Sequence, residues 1–261
     1  MIKLIVSDLD GTLIPEGTQE LEKGFLEVLE KLLQQGYLFY TASGRQYANM
    51  YQKFLTYADQ IGFVCENGAL AMEKGKELYL YEVPEEVVRE MIKDVGKIPE
   101  AELMLSGVHS CYFTPHTEEF RHYMLYELKN DCTIVEDIRT VTQPIIKIAM
   151  YVYEFEKNGE RIQAYFQEKY GEYADFVTGG NDWIDMIPKH TGKDVALRAV
   201  MEQKGLKADE IMVFGDNQND VSMLQMTPNS YAMANASETV KQHAGHVCES
   251  VTETLKGFLK N

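Results

Sequence analysis

Between residues 2 and 65 the apolar positions follow two rhythms that alternate. Residues 2–7 (IKLIVS) form a short run rich in β-branched side chains, the composition of a buried strand. Leu21, Phe25, Val28, Leu29, Leu32 and Leu33 then recur at three- and four-residue spacing, which predicts an amphipathic helix, and Gly36 stands where that helix would end. The pattern next predicts a strand over 37–42 (YLFYTA), a helix over 46–57 and a strand over 61–65 (IGFVC). Strand, helix, strand, helix, strand implies a parallel sheet with right-handed crossovers.

After Gly68 the rhythm changes. The segments ALAM and ELYLYEV flank Lys74-Gly75-Lys76 and predict a hairpin. Beyond Pro84 the spacing is less regular, and the clearest expectations are a helix over 84–95 and a strand over 145–153. The first rhythm returns with a helix over 193–204, a strand over 211–214, a helix over 219–226 and a strand over 230–234. The expected fold class is therefore α/β: a Rossmann-like parallel-sheet core formed by residues 1–82 and 184–261, interrupted by an inserted α+β cap domain over 83–183.

Composition narrows the partners. A net charge of −16 lacks the basic footprint of a nucleic-acid binder and disfavours an anionic membrane surface. No apolar run approaches the roughly 18–20 residues of a membrane span, and the first expected strand begins at Ile2, which leaves no leader; a cytoplasmic protein is expected. Cys65, Cys111, Cys132 and Cys248 are scattered, without a CxxC pair or a histidine cluster, and read as reduced core thiols rather than zinc ligands.

In an open parallel sheet the reactive groups gather beyond the carboxyl ends of the strands. Four segments qualify. Asp8 and Asp10 close the first strand, where side chains at i and i+2 would share a face and repel. Ser43-Gly44-Arg45 follows YLFYTA, Lys193 lies in IPKHTGKDVAL, and GDNQND carries Asp216, Asn219 and Asp220. Each has an ordinary structural reading: Asp-Gly as a turn, Ser43 as a helix cap, GDNQND as a polar turn. Lys193 fits its ordinary reading least, because a cation in the first turn of a helix opposes the dipole. As a P-loop, HTGKD would need Gly at 187 and Ser or Thr at 194, where the chain has Ile187 and Asp194; as a calcium loop, DNQNDV has Val221 where Gly is required. Together the four segments describe a divalent metal site facing an anion. Asp8, Asp10 and Asp216 offer hard oxygens that suit Mg2+, and Ser43 and Lys193 offer donors to phosphate oxygens.

DLDGT, ASGR, IPKHTGK and GDNQND, in this order, resemble the four motifs of the haloacid dehalogenase-like phosphohydrolases, in particular the Cof-type branch with a large α+β cap. FVCENGALAM and SYAMANASETVKQHA resemble further segments of that branch, and ASGRQY with ENGA is most similar to its sugar phosphatases. The resemblance implies a Mg2+-dependent phosphatase in which Asp8 is the nucleophile and forms an aspartyl-phosphate. Asp10 would act as general acid and then base, with its backbone carbonyl on the metal. Ser43, Gly44, Arg45, Lys193 and Asn219 would bind the phosphoryl group, Asp216 would ligate Mg2+, and Asn219 with Asp220 would orient the metal shell or Lys193. Asn67, with Glu66 and Gly68, stands between a hairpin turn and a substrate contact. Asp194 departs from the family, which has a small residue after the lysine. The expected partner is a small phosphorylated metabolite, with a sugar phosphate foremost. A phosphomutase with the same aspartyl-phosphate and a non-catalytic phosphometabolite sensor are the alternatives.

Overall fold

The computed structural model describes residues 1–128, 130–178 and 182–260. The chain divides into two compact units, one formed by Met1–Leu80 with the segment from Gly192 onward, the other by Tyr81–Thr191. The first unit opens with β1 (Leu4–Asp8), α1 (Phe25–Gln34), β2 (Leu38–Ala42), α2 (Tyr47–Lys53), β3 (Gly62–Cys65), β4 (Leu70–Glu73) and β5 (Lys76–Leu80). The second contains α3 (Glu85–Val95), β6 (Ala101–Gly107), β7 (Cys111–Phe113) and α4 (Glu118–His122), which runs on into a π-helical turn over Tyr123–Glu127. It continues with β8 (Cys132–Ile134), β9 (Ile145–Val152), α5 (Phe155–Tyr170), β10 (Ala174–Thr178) and β11 (Trp183–Pro188). The first unit then resumes with α6 (Lys193–Lys204), β12 (Ile211–Gly215), α7 (Val221–Leu224), β13 (Ser230–Met233), α8 (Glu238–Lys241), β14 (His246–Cys248) and α9 (Val251–Phe258).

The first unit is an eight-stranded sheet in the order β14-β13-β12-β1-β2-β3-β4-β5. The six strands from β14 to β3 are parallel, and β4 and β5 add an antiparallel margin. From β1 the chain moves outward through β2 and β3, and from β12 outward the other way, so the order reverses between β1 and β12. That reversal opens a crevice outside the carboxyl ends of the two strands, the place where open α/β sheets bind ligands. One sheet face packs Leu4, Val6, Val64 and Val213 against Leu197 and Val200 of α6. Phe25, Phe39, Phe54 and Phe63 form a buried aromatic group, with Phe25 and Phe39 ring centres 5.5 Å apart.

The second unit is a six-stranded sheet in the order β10-β11-β9-β6-β7-β8. The expected domain limit at 183/184 falls at the start of β11, which pairs with β9 (Trp183 opposite Tyr151) and with β10 (Pro188 opposite Ala174). Ile184 and Met186 alternate into the buried cluster that holds Ile148 and Met150, while Asp185 on the other face pairs with Lys147 at 3.0 Å. Burial of that alternate pair ties 183–188 to the second unit, and the first resumes only at Gly192. No helix among the described residues is long and apolar enough to cross a membrane.

α3 carries a buried charge of its own near its C-terminus. Asp94 is 3% exposed and accepts from Lys97 Nζ (2.8 Å), Tyr170 Oη (2.7 Å) and Lys169 Nζ. Burial alone would raise its pKa, but these donors outweigh it and hold the carboxyl well below the usual carboxylate range. A depressed folded-state value contributes stability above the unfolded pKa of about 3.9, and that contribution is lost as pH falls through the folded value. Asp94→Asn should therefore lower stability at pH 7 by about 1–3 kcal/mol, since its two lysine donors reach water and are not left wholly unpaired. Denaturant titrations should show the gap from wild type closing as pH is lowered towards 2; a gap independent of pH would refute this.

Candidate active site

β1 ends at Asp8, and the chain turns at once. Leu9 is wholly buried, and its carbonyl accepts from the amides of Thr12 (3.2 Å) and Ile14 (2.7 Å). Gly11 sits in this turn at φ +85, where a Cβ would stand 2.2 Å from Asp216 Oδ2, so only glycine fits. The turn removes the crowding expected of two carboxylates on one strand face, because the strand is over before Asp10. Asp8 points into the protein, 5% exposed, whereas the Asp10 side chain is 52% exposed. Each has its own cation.

For Asp8 the cation is Lys193, in the first turn of α6. Its ammonium, 1% exposed, donates to Asp8 Oδ1 at 2.5 Å and to Asp220 Oδ1 at 2.7 Å. Two carboxylates thus offset the unfavourable position at the helix N-terminus. Asp220 is fixed in turn, since its Oδ2 accepts from the amides of Asp216 and Asn217, each at 3.0 Å. Asp194 lies beside Lys193 in sequence, but its carboxylate faces Arg198 at 3.6 Å and lies at the favourable end of the helix.

For Asp10 the cation is Arg45, which forms a bidentate pair through Nη2 to Oδ1 (2.6 Å) and Nε to Oδ2 (2.9 Å). Arg45 Nη1 is steadied by Asn49 Oδ1 at 2.9 Å. Ser43 is buried; its hydroxyl lies 3.4 Å from Asp10 Oδ2 and accepts from the Arg45 amide. The N-cap of α2 is Gln46, so capping does not explain Ser43. The Ser43 carbonyl accepts from the Asn67 amide at 3.1 Å, which binds the turn after β2 to the turn after β3. That second turn, Glu66–Gly68, reverses the chain between β3 and β4, with Glu66 and Asn67 both in left-handed conformation. The hairpin reading describes its backbone. The Asn67 side chain lies against Gly44 and accepts from Asn219 Nδ2 at 3.0 Å.

All ten residues singled out in the sequence, Asp8, Asp10, Ser43, Gly44, Arg45, Asn67, Lys193, Asp216, Asn219 and Asp220, thus gather around the carboxyl ends of β1, β2, β3 and β12. Besides Asn49, two further residues among those described touch these groups without having been singled out. Thr12 Oγ1 donates to Asp216 Oδ1 at 2.8 Å, and Asn235 Nδ2 donates to the Gly11 carbonyl at 3.1 Å. Thr12 completes DLDGT and Asn235 lies in the segment SYAMANASETVKQHA, so the motifs contained both without giving either a contact.

Oxygens of Asp8, Asp216 and Asp220 lie within 4.8 Å of one another. Both Asp220 oxygens are engaged, which makes it a brace for Lys193 and the β12 turn. Asp8 Oδ2 and Asp216 Oδ2 remain for a cation, and two hard carboxylate oxygens suit Mg2+. The electrostatics favour the same ion. Burial and then Asp220 raise the Asp8 carboxyl well above its ordinary value, against the pull of Lys193. Burial works to lower the Lys193 pKa, but Asp220 and Asp8 outweigh it and the ammonium is held more firmly than in water. Asp216 is pushed up to about 6, by burial first and by Asp220. Carboxylates that resist ionisation invite a cation, and protons compete with it. Mg2+ affinity measured by calorimetry should hold above pH 7 and fall about tenfold per unit as pH drops below 6. Equal affinity at pH 5 and pH 8 would contradict this.

The profile of the haloacid dehalogenase-like hydrolase family matches residues 5–259. Among characterised proteins, the chain is similar to 5-amino-6-(5-phospho-D-ribitylamino)uracil phosphatase YbjI of Escherichia coli (strain K12), 27% identical over 265 residues that cover 100% of this chain and 97% of the relative. It is also similar to pyridoxal phosphate phosphatase YbhA of the same organism, 23% identical over 98% of this chain and 97% of the relative. Among solved structures, a protein from Eubacterium rectale superposes with a TM-score of 0.89 at 26% identity, covering 98% of this chain and 99% of that one.

Proposed function

The chain belongs to the haloacid dehalogenase-like hydrolase family, and on that footing we propose that it is a Mg2+-dependent phosphatase of small phosphorylated metabolites, sugar phosphates foremost, acting through an aspartyl-phosphate on Asp8. The observation that carries this reading is the buried Asp8–Lys193–Asp220 chain beside Asp216, at the sheet's point of reversal. A carboxylate nucleophile needs no base to activate it; its difficulty is repulsion from a phosphate dianion. Lys193, held as an ammonium, offsets that repulsion. Bound to Asp8, Asp216 and the Asp10 backbone carbonyl, Mg2+ would supply further charge neutralisation.

The Asp8 carboxylate attacks phosphorus and the ester oxygen leaves with a proton from Asp10, which takes that proton up from solvent beforehand. Asp10 then accepts a proton from the water that hydrolyses the aspartyl-phosphate. In the structure Arg45 occupies both Asp10 oxygens. A phosphate matches the guanidinium fork as well as a carboxylate does, so an arriving substrate competes for Arg45 and releases Asp10 for proton transfer. Ser43, Gly44 and Asn219 surround the phosphoryl position and supply hydrogen bonds. The net charge of −16 favours a neutral polyol over a second anionic group on the substrate. The ribityl phosphate in the name of the E. coli relative is of that kind.

Asp8→Asn should fold like wild type, judged by circular dichroism, and lose about three orders of magnitude or more in phosphate release across sugar and polyol phosphates. EDTA should abolish turnover and Mg2+ restore it. Turnover at the wild-type rate in Asp8→Asn, or in EDTA, would sink the proposal.

A further inference from the structure

Two of the four cysteines, 21 positions apart in sequence, meet in the second unit. β7 and β8 are parallel and pair Cys111 with Cys132, Tyr112 with Thr133 and Phe113 with Ile134. The Cys111 amide donates to the Asp131 carbonyl at 2.8 Å, the Val135 amide to the Phe113 carbonyl at 3.0 Å, and Ser110 and Thr133 hydroxyls meet at 2.8 Å, so the register is fixed on both sides of the pair. Directly paired residues on adjacent strands point to the same face, and strand spacing of about 4.8 Å lies inside the Cα separation that a disulfide spans. The two sulfurs are 2.6 Å apart, roughly half an ångström beyond bonding distance. All four cysteines are free thiols, as expected, but only Cys65 and Cys111 are buried in the core; Cys132 and Cys248 are half-buried.

We propose that Cys111 and Cys132 are a reversible disulfide site that fastens β8 to β7. β8 needs such a fastening. It is three residues long, it is the margin of its sheet, and Thr133 and Ile134 are exposed. The segment closed by the bond carries α4 and the π-helical turn, whose Phe120 and Met124 pack on Phe113, Ala149 and Trp183. The oxidant is a small disulfide of the glutathione type. Cys132, the more accessible of the two, attacks one sulfur as its thiolate and expels one glutathione thiolate, forming a mixed disulfide. Cys111 then gives up its proton and its thiolate attacks Cys132 Sγ, expelling the second glutathione. The cysteine pair loses two electrons, the glutathione disulfide gains them, and the two thiol protons end on the two glutathiones. The bond depends on strand register alone and is independent of the chemistry at Asp8.

The test uses the whole chain, equilibrated with reduced or oxidised glutathione, alkylated after denaturation and digested for mass spectrometry. Oxidation should remove two of the four alkylatable thiols, join the Cys111 and Cys132 peptides within one chain, and leave Cys65 and Cys248 alkylated. The oxidised protein should melt several degrees higher than the reduced one, and amides of 132–135 should exchange more slowly. Cys132→Ser and, separately, Cys111→Ala should abolish both the link and the redox-dependent shift; dithiothreitol should reverse them in wild type. Recovery of both thiols alkylated from oxidised glutathione, a glutathione adduct on Cys132 as the end product, or a link between two chains would each overturn the proposal.

Discussion

The burial of Lys193 between Asp8 and Asp220 is the contact on which the rest of the first unit's upper edge depends. An ammonium 1% exposed cannot stand alone, and α6 is held where two carboxylates meet it. Asp220 then needs its own second partners and takes the amides that follow β12, which sets the path of Asp216. β1, α6 and β12 are far apart in sequence, so one buried cation fixes three segments at once. Such a triad contributes little to stability, because the desolvation of three charges offsets their attraction. Replacing it with apolar groups of similar volume is the kind of change expected to stabilise the fold and empty the site of chemistry.

Backbone fit does the remaining positioning. Gly11 lets the β1 turn lie against Asp216, and Gly68 at φ +93 lets the β3 turn lie against the Gly192 carbonyl, 2.0 Å from where a Cβ would be. The loops that carry Asp8, Asn67, Lys193 and Asp216 are thus in contact through positions with no side chain. Any larger residue would separate them.

The core was legible because its strands are buried on both faces and its helices on one, so IKLIVS, YLFYTA and IMVF stand out as nearly unbroken apolar runs between helical stripes. The candidate site was legible because its residues follow those strands directly. Three things were not. The second-unit strand Trp183–Pro188 has the same composition as a strand of the first unit, and only pairing with β9 and β10 assigns it. Arg45 was marked for phosphate, but its hold on Asp10 arises from how two turns approach each other across the sheet. The meeting of Cys111 with Cys132 depends on a strand register that no spacing encodes.

Counting formal charges, Asp8, Asp10, Asp216 and Asp220 give −4 and Lys193 and Arg45 give +2, so the bare crevice is anionic. A phosphate dianion approaching it meets a net repulsion that a divalent ion would cancel. Under the proposed chemistry the two ligands therefore bind in a compulsory sequence, cation before ester. Release runs in reverse, with inorganic phosphate leaving while the ion stays. On that proposal, the negative charge gathered in the crevice would set the order of binding as well as the chemistry.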